Sequence, residues 1–545
     1  MTRYRMDVDG MTCDSCDRHV AGALAGAGAT DVSAHWRKGE ARFSAEEGDL
    51  ERLSDAVRGV GYRPKGVEAQ EVAANRTARS EGKRTDYDLL AIGAGGAAFA
   101  AAIRATNLGA RVGIVEGGTI GGTCVNTGCV PSKNLLAAAE AYHTAGHHQF
   151  PGIATSQDGV DLPAAMGMKD EVVSYLRGWK YEDLAEKYGF EIIRGDARFT
   201  GPDSVAVDGR EIRAGHYLVA TGARPWAPPI PGLEESGYLT STTALELKDL
   251  PETIVVIGGN YIGLEMGQLF SRLGTRVTIV EALDRLAPLE EPEVSEWISL
   301  VLDNEGIEIV TSANITRVEG GGESRVVHLD DGRRFEADEV LVATGRRPYT
   351  EGLGLDVAGI ELTERGAVKV DDELRTTNPR VFAGGDVTEA PQFVYVAAAH
   401  GTIAAENAVN DGHRKVDYTA MPRVTFTQPQ IAAVGLTDEE ANRQGYRCEC
   451  RVVELKDIPR PLVNKDTRGA FKIVAEQGSG RILGVHIVGP GAGDVIIGAV
   501  YAVKFGLRVQ DLADTWAPYL TMAEGLKLTA QSFTSDIEML SCCAA

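Results

Sequence analysis

At 545 residues, with 43% hydrophobic residues and 64 glycines, the chain is long enough for several α/β domains joined by tight strand-to-helix turns. Its 55 basic and 78 acidic residues leave a net charge of −23, which argues against a nucleic-acid partner or an anionic membrane surface. No apolar run reaches the ~18–20 residues of a membrane span, the N-terminus lacks the apolar core of a secretory signal, and most of the eight cysteines fall in close pairs, so a soluble cytoplasmic protein with working thiols is expected.

Residues 1–67 read as a small unit. Within it, Gly10-Met-Thr-Cys13-Asp-Ser-Cys16 lies between a short strand and a helix expected over residues 17–27. A C-x-x-C at a loop-helix junction offers two soft thiolates in an exposed site, suited to two-coordinate ions such as Cu(I) or Hg(II). A thioredoxin-like redox pair is the competing reading. With the later GVGYRP ending at Pro64, the unit resembles the heavy-metal-associated domain, which implies a ferredoxin-like βαββαβ fold with Cys13 and Cys16 as metal ligands. Residues 68–84 are polar and charged, as in a linker.

The next domain, expected over 85–249, opens with a strand at Tyr87, a turn holding Gly93, Gly95 and Ala98, and an alanine-rich helix. This G-x-G-x-x-A lets backbone amides approach a pyrophosphate at the helix N-terminus. The following strand ends in Glu116, where a carboxylate can bind ribose hydroxyls, and Gly118 lies just beyond. Residues 121–133 then read GGTCVNTGCVPSK, placing Cys124 and Cys129 in a glycine-rich turn that runs into a helix. The helix dipole favours thiolate there, and two such thiols can open and close a disulfide with two electrons. Zinc would want a second cysteine pair at matching spacing, and none surrounds this one.

A second copy of the nucleotide-binding unit, expected over 250–346, begins at TIVVIGGNYIGLE. Its turn holds Gly258, Tyr261 and Gly263, with Asn260 at the middle glycine position, where tolerance of left-handed angles keeps the turn feasible. Glu281 ends the next strand and favours a free 2′-hydroxyl, hence NADH, although Arg276 or Arg285 could offset this. ATGARP (220–225, with Gly222), ATGRRP (343–348, with Gly345) and VFAGGD (381–386, with Asp386) each follow an apolar strand.

The string GGTCVNTGCVPSK, with these elements in this order, resembles the FAD-dependent pyridine nucleotide-disulfide oxidoreductases. The resemblance implies two Rossmann-like domains, for FAD and for NADPH or NADH, the first resumed over 347–417, and an α+β dimerisation domain over 418–545. It implies that Thr123, Ala197 and Asp386 bind FAD, that Val394 passes near the flavin, and that Lys133 pairs with Glu265 beside it. Tyr261 would shield the flavin from the nicotinamide side.

The C-terminal segment narrows the choice. Dithiol reductases of this family carry a histidine base where Tyr519-Leu-Thr-Met-Ala-Glu524 stands here. Tyrosine, with an ordinary pKa near ~10, is a poor base at neutral pH. Cys542 and Cys543 close the chain two residues from its end, an idle tail if taken alone. The stretches QFVYVAAA (392–399), PYLTMAEGLKL (518–528) and LSCCAA (540–545) resemble the mercuric reductases. That resemblance implies that hydride from NAD(P)H reaches FAD and opens the Cys124–Cys129 disulfide, with Cys129 next to the flavin and Cys124 as the interchange thiol. Hg(II), handed over by mercury-transport proteins, would pass from Cys13 and Cys16 to Cys542 and Cys543 of a partner in a homodimer, then to Cys124 and Cys129. Tyr519 and Tyr238 would line the path, and Glu524 would complete the site. A strand position at Cys448 and Cys450 suggests a structural role. Two other readings stand: a dihydrolipoamide-dehydrogenase-like enzyme with a fused metal-binding domain, and a non-catalytic protein that sequesters soft ions.

Overall fold

The structure is a computed structural model that describes residues 2–11, 14–35, 39–69, 85–322 and 324–539. Cys13, Cys542, Cys543 and residues 70–84 of the expected linker lie outside the described residues. The chain divides into two units, residues 1–84 and 85–545.

The first unit runs β1 (Thr2–Asp9), α1 (Asp14–Gly26), β2 (Thr30–His35), β3 (Glu40–Ala45), α2 (Leu50–Gly59) and β4 (Arg63–Ala69). Its antiparallel sheet has the order β2-β3-β1-β4, the βαββαβ arrangement. Alternation along β3 buries Ala41, Phe43 and Ala45 against Val20, Leu24, Leu53 and Val57. One expectation is corrected here. Helix α1 begins at Asp14, three residues earlier than expected, so Cys16 joins Val20 and Leu24 at i, i+4 and i+8 on the core-facing stripe. Cys16 is therefore buried, 8% exposed, rather than displayed on the surface.

Among the described residues, the second unit is built around two parallel sheets and one five-stranded antiparallel sheet, beside two three-stranded antiparallel sheets and a two-stranded pair. Strands β5 (Tyr87–Ile92), β6 (Val112–Glu116), β7 (Glu191–Arg194) and β8 (Ala214–Val219) belong to the first sheet, and β9 (Ala223–Pro225) follows it. Helix α3 (Gly96–Asn107) links β5 to β6, while α4 (Gly122–Asn126) and α5 (Cys129–His147) carry the thiol motif. The second sheet is built from β10 (Thr253–Ile257), α6 (Tyr261–Leu273), β11 (Arg276–Val280), α7 (Pro292–Asn304), β12 (Glu308–Val310) and β13 (Glu339–Val342). Then come β14 (Arg346–Pro348), β15 (Val381–Ala383) and α8 (Val394–Asn410). The antiparallel sheet uses β16 (Pro422–Thr425), β17 (Gln430–Gly435), β18 (Cys448–Glu454), β19 (Ala470–Glu476) and β20 (Ile482–Gly489), with helices α9 (Asp438–Arg443), α10 (Ala492–Lys504) and α11 (Glu524–Gln531).

The parallel orders are β15-β8-β5-β6-β7 and β12-β11-β10-β13. Both faces of these sheets are covered, which is why β5 and β10 read as nearly unbroken apolar runs. Alanines let the layers close up: α3 buries Ala97, Ala98, Ala101, Ala102 and Ala105. A Cβ on Gly401 of α8 would stand 2.0 Å from the Ala97 carbonyl oxygen, so only glycine permits this helix-helix approach. The short antiparallel pair β9·β14 ties the two parallel sheets together through Ala223↔Pro348 and Pro225↔Arg346. Among the described residues, no helix is long and apolar enough to cross a membrane.

Candidate functional site

In open parallel sheets, ligands bind outside the carboxyl ends of the strands. Here the loops after β5, β6, β8 and β15, and those after β10, β11 and β13, open onto one cavity of about 2570 Å³. Gly93, Gly95, Glu116, Gly118, Thr123, Ala197, Gly222, Asp386 and Val394 lie on its wall together with Gly258, Tyr261, Glu281 and Gly345.

The first loop is a tight cradle. Gly93 has φ +101, and a Cβ on it would stand 2.5 Å from the Ala220 carbonyl oxygen. A Cβ on Gly122 would stand 2.7 Å from Gly95 Cα. Glu116 fixes the loop by accepting hydrogen bonds from the Ala94 and Gly118 amides at 2.8 and 2.7 Å. The second copy repeats this device: Gly258 has φ +108, and Glu281 accepts from the Gly259 and Leu283 amides at 2.7 and 2.8 Å. Asn260 corrects the sequence argument. Its φ is −107 and ψ −168, an extended conformation open to any residue, so left-handed tolerance is not what admits it. Its Oδ1 is buried without a hydrogen-bond partner at the start of α6, facing the cavity. Two glycine cradles that side chains would fill, each at a helix N-terminus, and an unmet polar atom at the second fit two dinucleotides, FAD and a nicotinamide nucleotide.

The thiols sit on the same wall. Cys129 is the first residue of α5, where the helix dipole favours a negative charge. A hydrogen bond from Cys124 stabilises the Cys129 thiolate against the opposing effect of burial, and Lys133 one turn on adds to it, bringing Cys129 down to about 7. The same bond, together with burial and the charge on Cys129, pushes Cys124 well above the ordinary thiol range. The pair thus divides into Cys129, which ionises readily near neutral pH, and Cys124, which holds its proton. Lys133 bonds Glu265 of α6 at 2.6 Å, and Glu265 accepts from the Phe426 amide at 2.9 Å. Both parallel sheets and the antiparallel sheet therefore meet within two bonds of the thiols.

Tyr261 donates from its hydroxyl to Glu290 at 3.1 Å, and burial raises its phenol far above the usual range. Phe393 lies 6.1 Å from Tyr261 and stacks on Tyr395 at 5.2 Å, so three rings form one aromatic wall. Asp386 is raised by burial, with Arg346 acting in the opposite sense.

Residues 87–401 match the family described as pyridine nucleotide-disulphide oxidoreductase, and residues 421–530 match its dimerisation domain. A mercuric reductase of Bacillus cereus is 46% identical over 553 residues, covering 100% of this chain and 87% of that protein. One from Streptomyces lividans is 52% identical, covering 84% of this chain and 99% of that protein. The chain belongs to the mercuric reductase family. Among solved structures, the HOCl-induced flavoprotein disulfide reductase RclA of Escherichia coli is 31% identical with a TM-score of 0.75, covering 82% of this chain and 100% of that one.

Several expected residues do not reach the wall. Ala98 is wholly buried between α3 and the sheet. Gly263 serves packing: a Cβ there would stand 1.8 Å from the Gly258 carbonyl oxygen. Tyr238 packs in an apolar cluster with Val318 and the cavity-lining Ile230, behind the wall rather than on it. Tyr519 is 48% exposed, and Glu524 is buried at the start of α11 with Oε2 unpartnered and its carboxyl raised by burial. Neither lines the cavity of its own chain. Sequence reasoning missed Phe393, Tyr395 and Arg346, although all three lie in strings it singled out. Arg346 donates to the Ala223 carbonyl, and its Nε is buried without a partner beside Asp386. Among the described residues, no group of three or more His, Cys, Asp or Glu side chains could hold a metal ion.

Proposed function

We propose that the chain reduces Hg(II) to Hg(0) with electrons from NADPH or NADH, in the cytoplasm, as a mercury-detoxifying enzyme. The observation that carries this reading is the unlike pair Cys124 and Cys129 on a cavity that also holds two dinucleotide cradles. Its support in sequence is full-length identity to proteins named mercuric reductase. FAD, when bound, supplies a two-electron carrier between the nicotinamide and the dithiol.

The residues divide the remaining work. Gly93, Gly95 and Glu116 shape the loop for the FAD pyrophosphate and ribose, and Asp386 and Arg346 face the same ligand. Gly258, Asn260 and Glu281 do the same for the nicotinamide nucleotide, while Tyr261 covers the wall between the two. Lys133, held by Glu265, keeps Cys129 ionised. Hg(II) then needs only the proton of Cys124 to be displaced for a bis-thiolate to form. Two electrons convert the bound ion to Hg(0), both metal–sulfur bonds break, and the atom departs because a neutral metal holds thiolates weakly.

Delivery requires exchange between dithiols, since each incoming thiolate displaces an outgoing one. Cys13 with Cys16 and Cys542 with Cys543 supply two earlier stops, the first loaded from mercury-transport proteins. The exposed Tyr519 and the match of residues 421–530 to a dimerisation domain support a homodimer in which one subunit's tail and Tyr519 serve its partner's cavity. The test is anaerobic NAD(P)H oxidation with Hg(II) in excess thiol, alongside detection of mercury vapour. Vapour that disappears in Cys124→Ala and Cys129→Ala is the expected result. Turnover with dihydrolipoamide and NAD, without vapour, would overturn the proposal.

A further inference from the structure

Cys448 and Cys450 stand outside the cavity and outside the relay. They open β18, an edge strand of the antiparallel sheet, which pairs with β19 in the register Cys448↔Glu476 and Cys450↔Val474. Residues two apart on a strand share a face. Both side chains accordingly pack, half-buried, against one small cluster of Ala441, Val474 and Leu483. Neither is in a disulfide. Their Cβ atoms, two residues apart on one face, are separated by about 6.6 Å, beyond the ~3.5–4.5 Å that a disulfide needs. Two collinear metal–thiolate bonds of at least ~2.3 Å each would hold the sulfurs about 4.6 Å apart, a span that two such thiols reach by leaning together.

The surroundings select the charge of the guest. Burial and the carboxylates of Asp438, Glu291 and Glu476 hold the Cys448 thiol protonated. Burial and Asp438 likewise push Cys450 up to about 12, with only Lys472 opposing. Protonated thiols resist alkylation and oxidation, which need thiolate. A soft divalent ion displaces both protons and leaves a neutral complex. A soft monovalent ion such as Cu(I) leaves a net negative one beside three carboxylates.

We propose that Cys448 and Cys450 form a further two-coordinate site for one soft divalent ion, Hg(II) or its like, on the outer edge of the antiparallel sheet. Loading breaks two S–H bonds, forms two S–metal bonds and releases two protons, with no change of oxidation state. The site stores the ion without reducing it, so its occupancy is independent of the reductase reading.

The test uses the full-length FAD-bound protein under nitrogen, without NAD(P)H, dialysed against Hg(II) buffered with excess cysteine. Cys448→Ser, Cys450→Ser and the double variant should each carry one Hg(II) fewer per chain than the parent, at unchanged melting temperature. With Cu(I) in place of Hg(II), parent and double variant should bind equal amounts. A double variant that keeps the parent's Hg(II) count overturns the site, and an equal loss of Cu(I) overturns its selection by charge. Should the variants fail to fold, the parent itself decides. Hg(II) should protect Cys448 and Cys450 from N-ethylmaleimide on unfolding, as read by peptide mass, and modification of both at the metal-free rate would overturn the proposal.

Discussion

Cys124 and Cys129 carry the same side chain and opposite tasks, and their neighbours make the difference. Cys129 has a helix N-terminus, a donor thiol and Lys133, whereas Cys124 has burial and the charge of Cys129. The folded protein therefore lowers the Cys129 pKa below its unfolded value of roughly 8.5. Its thiolate, and its alkylation by iodoacetamide in the reduced protein, should rise as pH increases through about 7. Cys124→Ser weakens the donor and Lys133→Met removes the cation, so both should move that rise to higher pH. A roughly tenfold slower alkylation at pH 6 would correspond to about 1.4 kcal/mol of lost thiolate stabilisation. Profiles that coincide with the parent would show that neither neighbour sets the charge. Lys133→Met has a second consequence, since it leaves Glu265 buried beside an uncharged residue.

At the scale of elements, two glycines with different constraints separate packing from backbone conformation. Gly263→Ala would drive a Cβ to 1.8 Å from the Gly258 carbonyl oxygen, so α6 must lift off β10. Loss of nicotinamide-nucleotide binding and a fall in melting temperature equivalent to roughly 3 kcal/mol or more are expected. Gly222 has φ +72 but no atom within 4 Å of an added Cβ. Its alanine variant should cost only about 1 kcal/mol of stability, since no protein atom has to move. Equal damage in the two variants, read by calorimetry, would refute this distinction.

Both cradles were legible because glycine spacing, a preceding apolar run and a terminal carboxylate are local signals. The thiol motif was legible for the same reason, and the Lys133–Glu265 pair came from family resemblance. Burial was harder to read. The position of Cys16 depended on a helix start displaced by three residues, and a shift of that size rotates a side chain from solvent to core. Asn260 shows the converse, where a correct position was supported by an unnecessary conformational argument.

Over the whole molecule, the domains are joined by charges too far apart in sequence to suggest each other. Arg423 of β16 clasps Glu290 through two nitrogens at 3.0 and 3.1 Å, across 133 residues. Lys472 of β19 bonds Glu291 and Glu293 at 3.0 and 2.8 Å. Burial tends to raise Glu290, but the two hydrogen bonds from Arg423, with the His486 ring 3.9 Å away, outweigh it and hold the carboxyl at about 2. A carboxyl lowered in the folded state contributes stability above its unfolded value of about 4.3, and this is lost as pH falls from there toward about 2. Arg423→Ala should strip the buried Glu290 of its guanidinium partner, lowering stability by about 3–5 kcal/mol at neutral pH. As pH falls from about 4.3 toward about 2 the deficit should shrink, because Glu290 takes up a proton. Chemical denaturation across that range checks both points, and a deficit that does not depend on pH would assign the loss to packing instead. The same carboxylate receives the Tyr261 hydroxyl, so the variant should also loosen the aromatic wall.

The matched grips of Glu116 and Glu281 on their loops have a practical bearing on redesign. The two halves pin their glycine turns with corresponding pairs of amide contacts. A carboxylate that holds its own loop is a poor dial for changing the preferred nucleotide. Glu281→Ala should raise KM for NADH and NADPH together, because the turn slackens before the charge effect is felt. A selective fall in KM for NADPH would contradict this. Engineers seeking NADPH specificity would do better to keep Glu281 and alter Leu283, whose exposed side chain lines the cavity, and to spare Arg285, which donates to the Pro288 and Glu290 carbonyls.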